Sequence, residues 1–272
     1  MQESRVLTAS LRSWFAENER AGLVILNVFA ALVAWGLAEL VLWPTSGGRP
    51  VTPIWPPAGV AVALVYIGGY RLLPGFVIGT FVLVYHYSPL PVAVLLALAQ
   101  VAQPLVEVRI LRAMGFDPKL ERVRDPIVLS LVAGPIGALV SAALAGVLNP
   151  LLGEWPASQV PYEFMLWWLR DWLGVMVTAP LIFSWYYGRD ITWSWRRVGE
   201  AVGLAVAMFI GSQLMFGLWG MFATRDVPIA FIFFPLMGWA GLRFGARGSS
   251  TIVAAVSAFA MAIAGLGIGP FI

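Results

Sequence analysis

Arg170 and Asp171 stand side by side in Trp167-Trp168-Leu169-Arg170-Asp171-Trp172-Leu173-Gly174, within a stretch otherwise apolar enough for hydrocarbon. An ionised group at the centre of a membrane helix costs at least about 2.5 kcal/mol, so those that persist mark ligand contacts, ion paths or pairs between helices. Adjacent residues on a helix point about 100° apart, so these two cannot face each other well. Each needs a partner on another helix. Asp171, Gly174 and Thr178 share one helical stripe with Trp167 a turn earlier, a polar and small-residue face suited to a bundle interior. That face reads either as an inter-helix ion pair that fixes packing or as a ligand contact.

Other residues carry weaker signals. Thr52-Pro53-Ile54-Trp55-Pro56-Pro57-Ala58-Gly59 places two prolines where a helix begins, the position at which a fixed φ and a missing N–H do least harm. The carbonyls ahead of them must find donors inside protein or water, so this irregular helix entrance is a candidate ligand contact, with Trp55 alternatively an interfacial anchor. Glu39 and Gln213 lie near the ends of two further apolar runs. Glu107 and Arg109 close another run and read as interfacial. His86, the single histidine, reads as incidental.

Much chemistry is excluded. The absence of cysteine removes disulfides, thiolate catalysis and iron–sulfur ligation, and one histidine cannot make a paired-histidine haem or multi-histidine metal site. No phosphate loop, HExxH, serine nucleophile elbow or paired-carboxylate motif occurs, so neither an intrinsic enzyme nor a cofactor or metal is expected.

The elements that must position these residues are membrane helices. The chain is 60% hydrophobic and only 11% charged, against roughly 25% charged in soluble domains. Apolar runs bounded by Pro, Gly and charge fall at 21–43, 54–69, 72–87, 89–111, 126–148, 163–187, 198–220, 228–243 and 247–269. The second, third and eighth are too short to span unless nearly untilted, re-entrant or buried among neighbours. This predicts an all-α polytopic bundle of eight or nine membrane segments, some short or Pro-interrupted. Residues 1–20 form a cytoplasmic N-terminal segment and 21–272 a single integral membrane domain.

With the N-terminus inside, Arg49 and Arg225 alone of the 17 Lys and Arg fall outside and Arg170 alone falls within a span, the asymmetry expected of a bacterial inner-membrane protein. Glu39, Trp55, Pro56, Pro57, Trp167, Arg170, Asp171 and Gln213 then gather in the outer half of the bundle. Thr178 lies further along the Asp171 stripe. Glycine pairs four apart, Gly75/Gly79, Gly199/Gly203 and Gly241/Gly245, predict close helix packing.

Three blocks together resemble the first type of the MASE family, the membrane-associated sensor domains of bacterial histidine kinases and diguanylate cyclases. They are Ile54–Gly59 with Gly68-Gly69-Tyr70-Arg71-Leu72-Leu73-Pro74-Gly75 and Gly79, then Trp167–Gly174 with Ala179-Pro180-Leu181, then Pro235-Leu236-Met237 with Arg243-Phe244-Gly245 and Gly269-Pro270-Phe271. The family usually has glycine where Arg170 stands, so the resemblance does not cover that residue. It implies a sensory input domain that passes a signal to a cytoplasmic kinase or cyclase module. The family commonly continues with one more helix after the Gly-Pro-Phe block, which matches an outer C-terminus here and leads to the expectation of a truncated or separately encoded sensor. Expected partners are the lipid bilayer, a small molecule from the outer side, the cytoplasmic module and a second copy in a homodimer; nucleic acid is not among them. Two other functions stay open: a small transporter or substrate-binding membrane subunit, and a structural subunit of a membrane complex.

Overall fold

The computed structural model describes residues 18–42, 53–188, 193–216, 231 and 233–265. All regular structure among them is helical. The helices are α1 (Glu19–Leu42), α2 (Pro56–Gly68), α3 (Leu73–Tyr87), α4 (Leu90–Ala113), α5 (Arg124–Leu151), α6 (Val160–Tyr187), α7 (Trp195–Phe216) and α8 (Phe233–Gly265). Five are long and apolar enough to cross a membrane: α1, α4, α5, α7 and α8. Helix α6, at 28 residues, has the length, but its tryptophans, Arg170 and Asp171 lower its hydropathy. One face of it packs against α2, α5 and α8.

Burial is inverted relative to a water-soluble protein. On α1 the buried positions are Gly22, Ala30, Ala34 and Ala38, while Val24, Val28, Phe29 and Leu32 are more than half exposed. Small residues let backbones approach, and large apolar ones cost nothing against lipid tails. Helix α2 shows the same economy in the interior, where Pro57 to Ala63 and Val65 are buried. Its 13 residues reach only about 20 Å, short of a ~30 Å hydrocarbon core. Of the alternatives for this short segment, burial among neighbours is the one observed, against α6, α4 and α1.

The glycine pairs divide. A Cβ on Gly75 or Gly79 would run into the backbone carbonyl of Asn27 or Ala31, so α1 and α3 touch backbone to backbone. Asn27 stitches the contact, accepting from Gly75 N–H at 2.7 Å and donating to the Arg71 carbonyl at 3.0 Å. Gly199, Gly203 and Gly241, by contrast, have open space at their Cβ positions. Spacing alone does not separate the two uses.

Within the described residues, the eighth and ninth predicted segments are the two arms of α8. They meet at Gly245, whose φ of 62° and ψ of −153° lie in a region essentially reserved for glycine. A Cβ on Gly248 would sit 2.6 Å from the Ala240 carbonyl oxygen, although eight residues of straight helix span about 12 Å. The chain therefore folds back at Gly245, and both arms pack with α7 around Leu204, Met208, Ala240 and Ile252.

One end of the bundle is basic. Arg71 pairs with Glu19 at 2.7 Å, Arg112 lies over the rings of Tyr66 and Tyr70, and Arg124 donates to the Met114 carbonyl. Arg196 and Arg243 pair with Glu200, and Arg247 donates to the Ser184, Trp185 and Gly188 carbonyls at the C-terminus of α6. These groups belong to the set that the charge pattern assigns to one side.

Gly79→Val should destabilise the protein by on the order of 3 kcal/mol by forcing α1 from α3, while Gly203→Val should change stability by less than about 0.5 kcal/mol. Unfolding in mixed micelles checks both. Equal losses would contradict the close α1–α3 contact.

Candidate functional site

The irregular stretch before α2 runs against the middle of α6. Trp55, at the N-cap of α2, donates its N–H to the Arg170 carbonyl at 2.9 Å and accepts from Ala58 N–H at 3.1 Å. Pro56 and Pro57 occupy the first turn, as their missing donors require. The approach is possible only because α6 carries Gly174 there, where a Cβ would overlap the Trp55 carbonyl oxygen. On α2, a Cβ at Gly59 would lie 2.6 Å from the Gly174 carbonyl oxygen and 2.9 Å from the Thr178 Cβ. Trp55, Gly59, Gly174 and Thr178 thus form one backbone-to-backbone seam.

Arg170 sits at this seam. Its guanidinium carbon is 4.1 Å from the ring centroid of Trp167 and 5.1 Å from that of Trp55, a cation between two indole faces. About a fifth of its side chain is exposed, whereas Asp171 is fully enclosed. Arg170 Nε and Asp171 Oδ1 are 3.6 Å apart, an ion pair beyond hydrogen-bond reach, and neither atom has another bonding partner. The neighbours therefore share charge without satisfying each other. Asp171 Oδ2 accepts instead from Ser141 on α5 at 3.2 Å, and the same hydroxyl accepts from Trp167 Nε1 at 3.0 Å.

Helix α5 is shaped to meet α6. Residues Val128–Ala133 are π-helical, with Gly134 N–H bonding to the Leu129 carbonyl five residues back. In that register the Ser130 carbonyl would next accept from residue 135, which is proline and has no N–H. Trp172 Nε1 supplies the missing donor at 2.6 Å, and Trp168 Nε1 donates to the Pro135 carbonyl at 2.9 Å. The tryptophans of α6 thus act as hydrogen-bond donors between helices.

Not every expected residue joins this cluster. Glu39 is tied to Tyr87, whose hydroxyl donates to Glu39 Oε2 at 3.2 Å. Gln213 lies on α7, which packs on α8, and its Oε1 is buried with no partner. Trp55 is 6% exposed and so is no interfacial anchor.

Glu107 corrects the sequence reading. It is fully buried rather than interfacial, while Arg109 two residues on is exposed. Its side chain occupies the space left by Gly137 on α5, and its Oε1 accepts from Gln103 Nε2 at 2.9 Å. The signal that would have found it is the stripe Gln100, Gln103 and Glu107, spaced by three and four along one face of α4 and all buried.

Small residues inside, large apolar ones outside and a wrapped polar layer on α4, α5 and α6 define a polytopic helical membrane protein. The family model described as MASE1 matches residues 22–272, and the chain belongs to that family of membrane-associated sensor domains. Searches of curated proteins and of solved structures gave no match.

Trp172→Phe leaves the Ser130 carbonyl without a donor and should cost about 1–3 kcal/mol in an unfolding titration. Trp195→Phe, at a side chain 92% exposed, should be silent. A silent Trp172→Phe would contradict the bridging role.

Proposed function

We propose that the chain is the sensory input domain of a bacterial inner-membrane signalling protein, with its N-terminus and basic end in the cytoplasm. Its input site is the seam of Trp55, Pro56, Pro57, Trp167, Arg170, Asp171 and Thr178, reached from the outer side by a small ligand or a membrane partner. The observation that carries this reading is Arg170. It is the one partly exposed cation on the seam, clamped by indoles from two elements, and its Nε has no hydrogen-bond partner. A group that engaged Arg170 would act on both α2 and α6, because Trp55 is bonded to the backbone carbonyl of the same residue. Such a contact biases two helix arrangements only by its difference in affinity for them. The resulting shift would be passed at the basic end to a cytoplasmic histidine kinase or diguanylate cyclase module. In this reading eight or nine segments cross or enter the membrane.

Asp171→Asn should lower signal-dependent output of the coupled kinase or cyclase at least tenfold, about 1.4 kcal/mol of coupling, with membrane levels unchanged. Loss of the folded protein would instead place Asp171 in packing alone. The chain has no cysteine, so single introduced thiols report sidedness cleanly. A membrane-impermeant maleimide should label Ser158→Cys in intact spheroplasts and Lys119→Cys only after permeabilisation. The reverse pattern would overturn the orientation.

A further inference from the structure

The polar layer is one positive charge short. Two carboxylates, Glu107 and Asp171, lie in it at 0% exposure, and Arg170 is the single cation beside them among the described residues. They occupy one neighbourhood. Glu107 packs into the space at Gly137, and Ser141, one helical turn further along α5, bonds Asp171, so the carboxyl groups are about one turn of α5 apart.

The partners on every side can be named. Gln103 faces Glu107 on its own helix; from α5 come Gly137 and Ser141, and from α6 Trp167, Arg170 and Asp171. Helix α2 packs against α4, but its one titratable side chain, Tyr66, is turned to the basic end, where it bonds the Phe116 carbonyl. On α3 the titratable residues Tyr85, His86 and Tyr87 lie in the last turn. Glu163 lies about two turns before Arg170 at the start of α6.

Three oxygens in this layer are fully buried and have no hydrogen-bond partner: Gln103 Oε1, Glu107 Oε2 and Asp171 Oδ1, the last facing only the ion pair with Arg170. Pro104 has no N–H to give the Gln100 carbonyl one turn back, which adds a further acceptor on the same helix. A buried, uncompensated charge is among the most expensive features a protein can hold, and such sites take up a compensating charge. Acceptors in excess of donors, around a net negative charge, define what is missing.

The geometry points to Glu107, Gln103 and Asp171 as a binding site for one unit of positive charge, delivered as a proton or as a small monovalent metal cation. The three oxygens without a hydrogen bond suit either, a proton held between carboxyl and amide oxygens or a sodium-like ion ligated by them. This site does not depend on the signalling role, because occupancy belongs to the chain itself.

The test uses the whole chain in zwitterionic lipid nanodiscs at neutral pH. Infrared spectra in choline chloride report a protonated carboxyl carbonyl directly. Thermal unfolding in sodium, potassium or choline chloride reports a bound metal. The proton form predicts a carboxyl band that Glu107→Gln or Asp171→Asn removes. The metal form predicts a saturable rise in melting midpoint with sodium or potassium but not choline, lost in Glu107→Gln. Either result supports the site. Wild-type protein with neither a carboxyl band nor a cation-dependent midpoint would overturn it, whatever the fate of the variants. A band or shift unchanged in both folded variants would overturn it equally.

Discussion

Arg170 and Asp171 are adjacent on a helix, cannot bond each other, and are surrounded by hydrocarbon-compatible structure. The groups near them meet part of the need that the two cannot meet mutually. Trp167 and Trp55 give the guanidinium two aromatic faces, and Ser141 gives the carboxylate a hydroxyl. The backbone is recruited as well, since the carbonyl of Arg170 holds the Trp55 N–H. In lipid no water could stand in for these partners, so their loss would be felt across three helices.

This demand explains the unusual parts of the fold. Helix α2 is too short to span and too small-sided to face lipid, yet it sits in the interior because glycines at 59 and 174 let two backbones meet. The π-helical segment of α5 and Pro135 free carbonyls that tryptophans of α6 then take up. Where no such demand exists, as at Gly199 and Gly203, the same glycine spacing is left open.

Period, charge and proline position made much of this readable in advance. The apolar runs fell close to the observed helices, and the prolines at 56 and 57 marked the start of α2 because their chemistry allows few other places. The break between the last two runs coincided with Gly245, flanked by Arg243 and Arg247. The Asp171, Gly174 and Thr178 stripe did face the interior. Glu107 lies near a run's end, which suggests an interface, but the face it shares with Gln100 and Gln103 is buried. Glu39 and Gln213 were grouped with Arg170 by depth alone. Depth says nothing about which helices are neighbours, and α7 packs on α8. The indole donors to Ser130 and Pro135 could not be foreseen, because the π register that creates the need depends on the packed structure.

The stretch before α2 is bonded to the middle of α6, and the rest of the seam depends on that bond. Amide hydrogen exchange of Trp55 in lipid nanodiscs tests this most directly, because Pro53, Pro56 and Pro57 carry no N–H and only the Ile54 amide adjoins it. The Trp55 amide should exchange as slowly as the amides of α6 around Gly174. Exchange at the rate of an exposed loop would contradict it.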